Sequence, residues 1–527
     1  MAQQTSTFLM RGGLNLVSPP IAIPPGQAIG AINYEADVAG YTSVAGYERY
    51  DGQPRPSDTT VTADIASRRA LIAEVPGTGP VRGVQVFAGH VYAFRDHSDG
   101  ASARMYRDST SGWVEMTFGS IIYFSSGVTA FAEGETLVGS TSAATATIDR
   151  VVLQSGAWSG TASGYLIVSD ILGTFVTETL TSTSGEASGT AAEALSIAPG
   201  GHYDFTTHNF YGAAKQPCLY FAYGQGPACE WSGEVLSPIY TGTATSGGDD
   251  INIVESDGDL VIEDDGDYVV IPLNVDRPTW INHFKNHLFV GYSQGAVICS
   301  SIGEPLEYIT TTGAFEFAFG SELTGILSAA TSMVIFGRGR IDYLVGNDSS
   351  DFVMQPITDN AGAFPYSLQM VTRPIYLDDG GVRDLGTTSS FGDWKSGTLT
   401  QTIEPLILAK RNAGVSVSAS MVVSAKDQYR LFFDDGTGIT LYLGRKAPEP
   451  MPFNLPVTVF CACSGEISAG AGDRHFVGGT DGFVYEFGRG TSFDGENIQT
   501  YARLPFNSIS SPTTNKRYNK FSADVIC

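Results

Sequence analysis

The stretch TWINHFKNHLFVGYSQGAVICSS, residues 279–301, contains the unit from which this chain is built. An apolar run leads to a turn that contains glycine, and a second apolar run follows directly. Two short β-prone segments joined by a turn rich in Gly, Asn or Asp predict a β-hairpin. We therefore expect two antiparallel strands here.

The same unit recurs along most of the chain. It is present in VRGVQVFAGHVYAFRD (81–96), AKQPCLYFAYGQGPACEWSG (214–233), SAATSMVIFGRGRIDYLVGN (328–347), RPIYLDDGGVRDLGT (373–387), SAKDQYRLFFDDGTGITLYLG (424–444) and GDRHFVGGTDGFVYEFG (472–488). A repeated hairpin predicts an all-β fold with radial repetition, a β-propeller of about six to eight blades. Stacked β-sandwich domains are the alternative.

The composition agrees with many short strands. Of 527 residues, 42% are hydrophobic and 11% aromatic, which is enough for a sizeable core. The 62 glycines favour tight turns over long helices. We expect no helix longer than about three turns, because helical periodicity does not recur.

Breaks in the hairpin pattern divide the chain into four parts. Residues 1–57 form an extended N-terminal strap, since Pro19-Pro20 and Pro24-Pro25 forbid a helix. Residues 58–120 form the first blades, and residues 200–527 form the remaining blades and a C-terminal segment. Between them, residues 121–199 are rich in Ser, Thr, Gly and Ala and predict a small inserted β domain.

The inserted domain contains an internal echo. Phe131 leads into Glu135-Thr136-Leu137, and Phe175 leads into Glu178-Thr179-Leu180, each followed by small residues. This predicts a two-part module. Because its small polar residues bury little apolar area, we expect it to project from the propeller and to be dispensable for the propeller core.

The charge balance disfavours a DNA-binding protein. Lys and Arg total 30 against 55 Asp and Glu, a net charge of −25, whereas binding to phosphates requires cations that displace counterions. The N-terminus has no apolar signal-peptide region, and no run of some 18 apolar residues predicts a membrane span. We expect synthesis in a reducing cytoplasm.

Gly291-Tyr292-Ser293-Gln294-Gly295 matches the G-x-S-x-G pattern of a hydrolase nucleophile. That elbow needs a following helix, but Gly303 and Pro305 end the next segment after about two turns. Sister hairpins have no nucleophile at this position, and only His475 follows Ser293 to act as a base. We interpret Ser293 as a turn residue and the chain as not an enzyme, with no catalytic residues.

The candidate metal ligands also have simpler interpretations, and we expect neither a metal nor a cofactor site. His283 and His287 lack the glutamate of H-E-x-x-H, and the interleaved apolar residues indicate a strand whose alternate positions face one way. The acidic segment 248–273 contains two Asp-Gly-Asp turns, Asp257–Asp259 and Asp265–Asp267, without a complete calcium loop. They are predicted to be solvated hairpin tips, although the sequence leaves open whether the segment binds a metal ion.

The cysteines are interpreted in the same way. Cys461-Ala-Cys463 lacks the spacing of a zinc or redox pair. Two residues apart on a strand, both side chains face one side, and we expect them to be small core hydrophobes.

The strap GGLNLVSPPIAIPPGQAIGAINYEADVAGYTSVAGYERYDGQPRPS, residues 12–57, resembles the opening of virion proteins from tailed bacteriophages. Hairpins such as HLFVGYSQGAVICSSIGEPLEY, residues 287–308, resemble those of the tail tubular, or nozzle, proteins of short-tailed phages. The insert looks like a β module of phage structural proteins. The clear similarity covers about the first 120 residues, the insert and individual blades.

This resemblance implies a non-enzymatic virion subunit made in the host cytoplasm. Six copies would form a ring below the portal and adaptor, which docks the adaptor or tail fibres and conducts double-stranded DNA during ejection without binding it tightly. The alternative is a propeller that binds receptor glycans as a tail-tip adhesin. A glycosidase propeller is disfavoured, because the S-x-D-x-G-x-x-W box is absent.

The net charge adds an expectation about such a ring. An acidic or neutral wall repels the DNA backbone and lets it slide. We expect a lumen of net negative charge, with Arg338 and Arg340 in FGRGRID as exceptions. The alternative is that the acidity lies outside and serves solubility. The sequence does not identify the residues of the channel, the partner contacts, the host or the receptor.

Overall fold

The fold is a seven-bladed β-propeller, as the sequence predicted. The computed structural model describes residues 9–241, 251–252, 270–271, 276–391 and 398–505. Each of the seven hairpins found in the sequence lies within one antiparallel sheet, and the seven sheets follow each other in chain order.

Blades 1 to 4 are four-stranded, with the innermost strand first. Before blade 1 lie β1 (Gly30–Ile32), β2 (Tyr34–Asp37), β3 (Gly40–Ser43), β4 (Tyr47–Tyr50) and helix α1 (Thr62–Leu71). Blade 1 comprises β5 (Thr78–Phe87), β6 (His90–Asp96), β7 (Ala103–Arg107) and β8 (Val114–Glu115).

An inserted sheet follows blade 1. It comprises β9 (Ser120–Thr129), β10 (Thr136–Gly139), β11 (Thr145–Ser155), β12 (Ala162–Leu172), β13 (Glu178–Thr181), β14 (Glu186–Gly189) and β15 (Glu193–Ala194). Blade 2 comprises β16 (Asp204–His208), β17 (Cys218–Ala222), β18 (Ala228–Trp231) and β19 (Leu236–Ile239), followed by the paired β20 (Ile251–Asn252) and β21 (Val270–Ile271). Blade 3 comprises β22 (Trp280–Phe284), β23 (His287–Gly291), β24 (Ala296–Cys299) and β25 (Phe315–Ala318), and blade 4 comprises β26 (Leu323–Ser328), β27 (Met333–Gly337), β28 (Ile341–Val345) and β29 (Val353–Thr358).

Blades 5 to 7 complete the ring. Blade 5 comprises β30 (Gln369–Met370), β31 (Pro374–Asp378) and β32 (Gly381–Asp384), followed by helices α2 (Leu385–Phe391) and α3 (Glu404–Asn412). Blade 6 comprises β33 (Val417–Val423), β34 (Gln428–Phe433), β35 (Thr437–Tyr442) and β36 (Glu449–Asn454). Blade 7 comprises β37 (Val459–Gly465), β38 (Arg474–Gly479) and β39 (Val484–Phe487), and the short β40 (Ser492–Phe493), β41 (Glu496–Asn497) and β42 (Tyr501–Arg503) follow. In the described residues the longest helix is α1, with 10 residues, which is within the expected limit of three turns.

The core lies between the blades. Clusters of buried apolar side chains fill each gap between neighbouring sheets around the ring. The gap between blades 7 and 1 holds Cys461 and Phe476 against Val81 and Val91. Because the last blade packs on the first, the sheets form a closed ring.

The N-terminal segment closes this ring. Strand β4 is the fourth strand of blade 7 and pairs antiparallel with β39, Tyr50 opposite Val484. The buried carboxylate of Glu486 on β39 accepts hydrogen bonds from Arg55, Arg474 and Arg489, at 3.1, 2.6 and 3.0 Å. Part of the segment that the sequence assigned to an extended strap therefore belongs to the propeller itself.

The strap proper, up to residue 43, lies along the outside of blade 6. The amide of Leu14 donates to the carbonyl of Pro450 at 2.9 Å, and β1 pairs with β42 near the C-terminus. Glu35 is buried beside the buried Arg430, whose Nη2 lies 2.7 Å from Glu35 Oε2, and it also contacts the partly exposed Lys426. An ion pair that is buried in this way fixes the strap to the propeller, since neither charge can be left without its partner cheaply.

The structure of the inserted domain explains the echo in its sequence. Strands β10 and β13, which carry the two echoes, pair antiparallel, and Phe131 and Phe175 enter the same core. The Glu135 carboxylate accepts from the hydroxyls of the loop before β14, and Glu178 accepts from the amides of the loop before β11. The two halves therefore cap each other.

The insert is more firmly docked than the sequence indicated. Arg150 on β11 reaches the buried Glu230 of blade 2, Nη2 to Oε1 2.8 Å, and Tyr211 and Tyr220 donate to the same carboxylate. Tyr165 is fully buried among side chains of blades 2 and 3. The premise that the insert buries little apolar area is therefore wrong, since its polar composition gave no sign of this apolar and ionic contact with blade 2. Its dispensability for the propeller core stays a prediction.

Candidate functional site

Ser293 lies in the turn between β23 and β24, where it is exposed. The segment after it is strand β24, paired with β25, and not the helix of a nucleophile elbow. Gly295 supplies the left-handed backbone of this turn, with φ +98°, and a Cβ there would lie 2.3 Å from the carbonyl oxygen of Ser321. The turn thus explains Gly295, whereas Gly291 ends β23, where a Cβ would lie 2.4 Å from the Leu323 side chain.

The only histidine that follows Ser293 in sequence lies in another blade. His475, on β38 of blade 7, contacts Ser464 Oγ through Nδ1 at 3.0 Å, and that hydroxyl donates to the Val422 carbonyl at 2.8 Å. A hydroxyl that donates to a carbonyl has no proton to give to the imidazole. Burial lowers the pKa of His475 to about 4. This pair is a structural contact between strands and not an activated nucleophile.

His283 and His287 do not lie on one strand, which corrects the sequence interpretation. His283 lies one residue before the end of β22 and His287 begins β23, because Lys285 and Asn286 adopt left-handed conformations and form a two-residue turn. His283 contacts Thr206 and stacks on His208, whereas His287 is buried against the Ser300 carbonyl. Within the described ranges, no group of three or more His, Cys, Asp or Glu side chains could hold a metal ion.

The acidic segment and its two Asp-Gly-Asp turns lie outside the described residues, apart from the short pair β20 and β21. The residues on either side of it are joined. The Thr241 amide donates to Asp276 Oδ2 at 2.6 Å, and the Tyr292 hydroxyl donates to Asp276 Oδ1 at 2.6 Å. The described residues Thr241 and Asp276 therefore meet between blades 2 and 3.

Cys461 and Cys463 face blade 1 from β37, both buried, as the sequence predicted. Burial raises the pKa of Cys463 to about 12 and that of Cys461 still further. Thiols held protonated in an apolar gap are packing groups, since the thiolate is the form that reacts or binds metal.

Arg338 and Arg340 flank the turn between β27 and β28, and both are paired. Arg338 Nη2 lies 2.7 Å from Asp379 Oδ1, and its guanidinium covers the Phe364 ring. Arg340 contacts Asp342 at 2.8 Å. Each guanidinium is thus already paired with a carboxylate.

The axis of the propeller is closed by aromatic side chains. His202, just before β16 of blade 2, places Nε2 3.0 Å from the carbonyl oxygens of both Ser418 in blade 6 and Phe460 in blade 7. Its ring stacks on Tyr366 at 3.7 Å, and Tyr366 lies 5.3 Å from the Trp280 ring of blade 3. A side chain of blade 2 that reaches blades 6 and 7 must cross the axis, so these residues form an axial plug.

The plug has one defined protonation state. Nε2 of His202 faces two carbonyl acceptors and therefore carries the proton. Burial lowers the pKa of His202 to about 4, so the ring is neutral near pH 7. The loop that carries Tyr366 is fixed on blade 6, where Ser420 Oγ donates to the Tyr366 carbonyl at 2.7 Å. No local sequence pattern indicates this plug, because its members come from separate blades.

The strap surface is the most unusual part of the described exterior. No charged residue occurs between Arg11 and Glu35. This stretch and its flanks expose a set of large apolar side chains, Leu9, Met10, Leu16, Val17, Ile21 and Val38. Exposed apolar residues concentrated in one segment mark a contact surface more often than single scattered ones do.

Comparison with known proteins supports no family assignment. No protein-family model matches the chain, and no curated protein matches its sequence. Among solved structures, the WD40 β-propeller domain of Doa1 is similar over 84% of this chain and 97% of that chain, with 10% identity and a TM-score of 0.36. The computationally designed Ika8 protein is similar over 79% of this chain and 98% of that chain, with 10% identity and a TM-score of 0.34. These similarities carry no argument about function. Among the described helices, none is long and apolar enough to cross a membrane.

Proposed function

We propose that this chain is a structural subunit of a short-tailed phage tail, a nozzle protein that assembles into a ring of six copies and conducts the genome during ejection. The observation that carries the proposal is the strap: the segment whose sequence resembles phage virion proteins also exposes Leu16, Val17 and Ile21, within a stretch, residues 12–34, that has no charged residue. A segment that is fixed by a buried ion pair and still exposes apolar side chains serves to contact another protein surface.

The charge of the chain makes that surface significant for self-association. Copies that each carry −25 repel one another wherever acidic surfaces meet. The strap has no carboxylate before Glu35, and Glu35 is neutralised by Lys426 and Arg430. Copies can therefore approach one another at residues 12–34 without bringing carboxylates together.

The axial plug limits where a conduit could run. His202 and Tyr366 close the propeller axis, so duplex DNA cannot pass through a single subunit. A genome path in this proposal lies between copies, around the symmetry axis of the ring. The paired state of Arg338 and Arg340 accords with a wall that does not hold phosphates.

The proposal gives the protein no catalytic role and no cofactor. Ser293 and His475 lie in different blades, and the buried cysteines have raised pKa values. The partners in this proposal are further copies of the chain, an adaptor and tail fibres. The location is the virion tail after synthesis in the host cytoplasm.

The test is the assembly state of the purified full-length chain. Mass photometry should show a species of six times the 55.9 kDa chain mass, and negative-stain images should show six-fold rings with a central opening. A protein that stays at 55.9 kDa at micromolar concentration contradicts the ring. If such a monomer bound receptor glycans on bacterial cells, the adhesin would be the better interpretation.

A further inference from the structure

Two groups of exposed apolar side chains stand out on this molecule. The first, here called the strap patch, consists of Leu9, Met10, Leu16, Val17, Ile21 and Val38. The second, here called the insert patch, consists of Val138, Leu172 and Val176 on the inserted domain. Val138 and Leu172 both lie opposite Thr145 in the sheet, so they occupy one cross-strand row.

The two patches lie on nearly opposite sides of the disc. The strap is fixed to blade 6 through Pro450, and the insert is fixed to blade 2 through Glu230. These blades are three steps apart around a seven-bladed ring, and at about 51° per blade this is about 150°. The patches of one molecule therefore cannot cover each other.

Their charges allow the two patches to meet. The strap patch has no net charge, because the exposed Arg11 is balanced by Asp37 beside Val38, and residues 12–34 contain no charged side chain. Residues 121–199 contain seven acidic side chains against the single basic Arg150, which is already paired with Glu230. Glu186 is exposed and extends the row of the insert patch, since it lies opposite Thr181, which in turn lies opposite Val138. An apolar surface without net charge can accept the acidic insert patch, whereas two insert patches would bring like charges together.

We propose that the strap patch of one copy binds the insert patch of the next copy, so that the ring is joined head to tail through these two surfaces. This inference rests on the proposed ring-forming function and adds the surfaces that make it. Two different patches on opposite sides generate a closed ring or a filament, whereas a self-complementary patch stops at a two-fold dimer. The occupant of each patch is thus a second copy of this chain.

Cysteine cross-linking tests the contact directly. Ile21 and Leu172 are 84% and 72% exposed, so replacing them does not disturb the core. The cysteines of the described residues are buried, and Cys527→Ser removes the remaining one. In that background, an equal mixture of the single variants Ile21→Cys and Leu172→Cys is treated with a short bis-maleimide. We expect covalent dimers that contain one copy of each variant.

The controls separate the alternatives. Ile21→Cys alone should give no dimer, because a dimer in that sample would indicate strap-to-strap contact and overturn the head-to-tail arrangement. Ile302→Cys, on an exposed turn of blade 3, should give no dimer with either variant. The doubly substituted chain should give a ladder of bands up to six copies.

Charge substitution gives a second measurement. Ile21→Asp and Leu172→Asp should each lower the fraction of ring in mass photometry at least tenfold, while Ile302→Asp leaves it unchanged. Rings that persist in both aspartate variants, without the mixed cross-link, would refute the strap-to-insert contact and leave the proposed ring intact. The absence of rings from the unsubstituted chain would instead refute the proposed function.

Discussion

Replacing Glu35 by Gln tests how the strap is held. Glu35 Oε2 lies 2.7 Å from Arg430 Nη2, and its other oxygen contacts Lys426. Arg430 is only 2% exposed, so its guanidinium cannot turn to water when the carboxylate is gone. Leaving one member of a buried ion pair alone costs about 3–5 kcal/mol. Gln428 still accepts two hydrogen bonds from Arg430, which favours the lower value, about 3 kcal/mol.

The assay is equilibrium urea unfolding combined with hydrogen exchange of strap peptides. Glu35→Gln should lower the free energy of unfolding and speed amide exchange in residues 12–34, because the strap loses its buried anchor. Glu115→Gln is the matched control. Its pair with Arg104 spans 3.5 Å at the surface, and a change within about 0.5 kcal/mol is expected.

A double variant sharpens the test. In Glu35→Gln with Arg430→Met, no buried charge is left unpaired, and much of the lost stability should return. The two single changes would then be strongly non-additive. If Glu35→Gln costs less than 1 kcal/mol and leaves strap exchange unchanged, the strap is held by its backbone and apolar contacts, and the reasoning fails.

Four further predictions follow from individual residues and from the charge. Ser293→Ala should change stability by less than about 0.5 kcal/mol, whereas Gly295→Ala should cost about 1–3 kcal/mol in urea unfolding, because φ is +98° there. Burial lowers the pKa of His202 to about 4 in the folded protein, whereas in the unfolded chain this imidazole takes up a proton near pH 6.5. Because the unfolded state then binds more protons, the free energy of unfolding of the wild type should fall by about 3 kcal/mol between pH 7 and pH 4, relative to that of His202→Gln. Arg150→Met should cost about 3 kcal/mol, since it leaves a buried carboxylate without its cation, whereas Lys215→Met, at an exposed pair, should be nearly neutral. Gel-shift assays at physiological salt should show no retention of duplex DNA, given the net charge of −25; a retarded band would count against a sliding conduit.

The blades could be predicted from sequence because each is a local hairpin. Apolar runs and turn residues lie within some twenty residues of one another, and the sheet follows from them. The turn at Lys285 and Asn286 was missed because it lacks the glycine that usually marks a left-handed pair. The signal was the asparagine, which tolerates positive φ better than most residues.

Contacts between distant segments could not be predicted in this way. The register of β4 on β39 joins residues more than 430 positions apart, and nothing local in Tyr47–Tyr50 identifies its partner. The same holds for Glu35 beside Arg430 and for His202 between blades 6 and 7. Such pairs cannot be identified from the sequence alone, because only the closed ring brings their residues into contact.

The pairing of the positive charges determines how strongly a ring of this subunit would interact with DNA. Ion pairs engage more than half of the 30 Lys and Arg side chains of the sequence. Each phosphate that displaced a paired carboxylate would leave that carboxylate beside the DNA, where it repels the backbone. Such a contact would not release counterions from the DNA on balance, and it would therefore add no affinity. A wall built from such pairs stays hydrated and weakly repulsive whichever face of the propeller turns inward. Sliding of the duplex in the proposed ring would therefore depend less on the orientation of the subunit than on the ratio of acidic to basic residues.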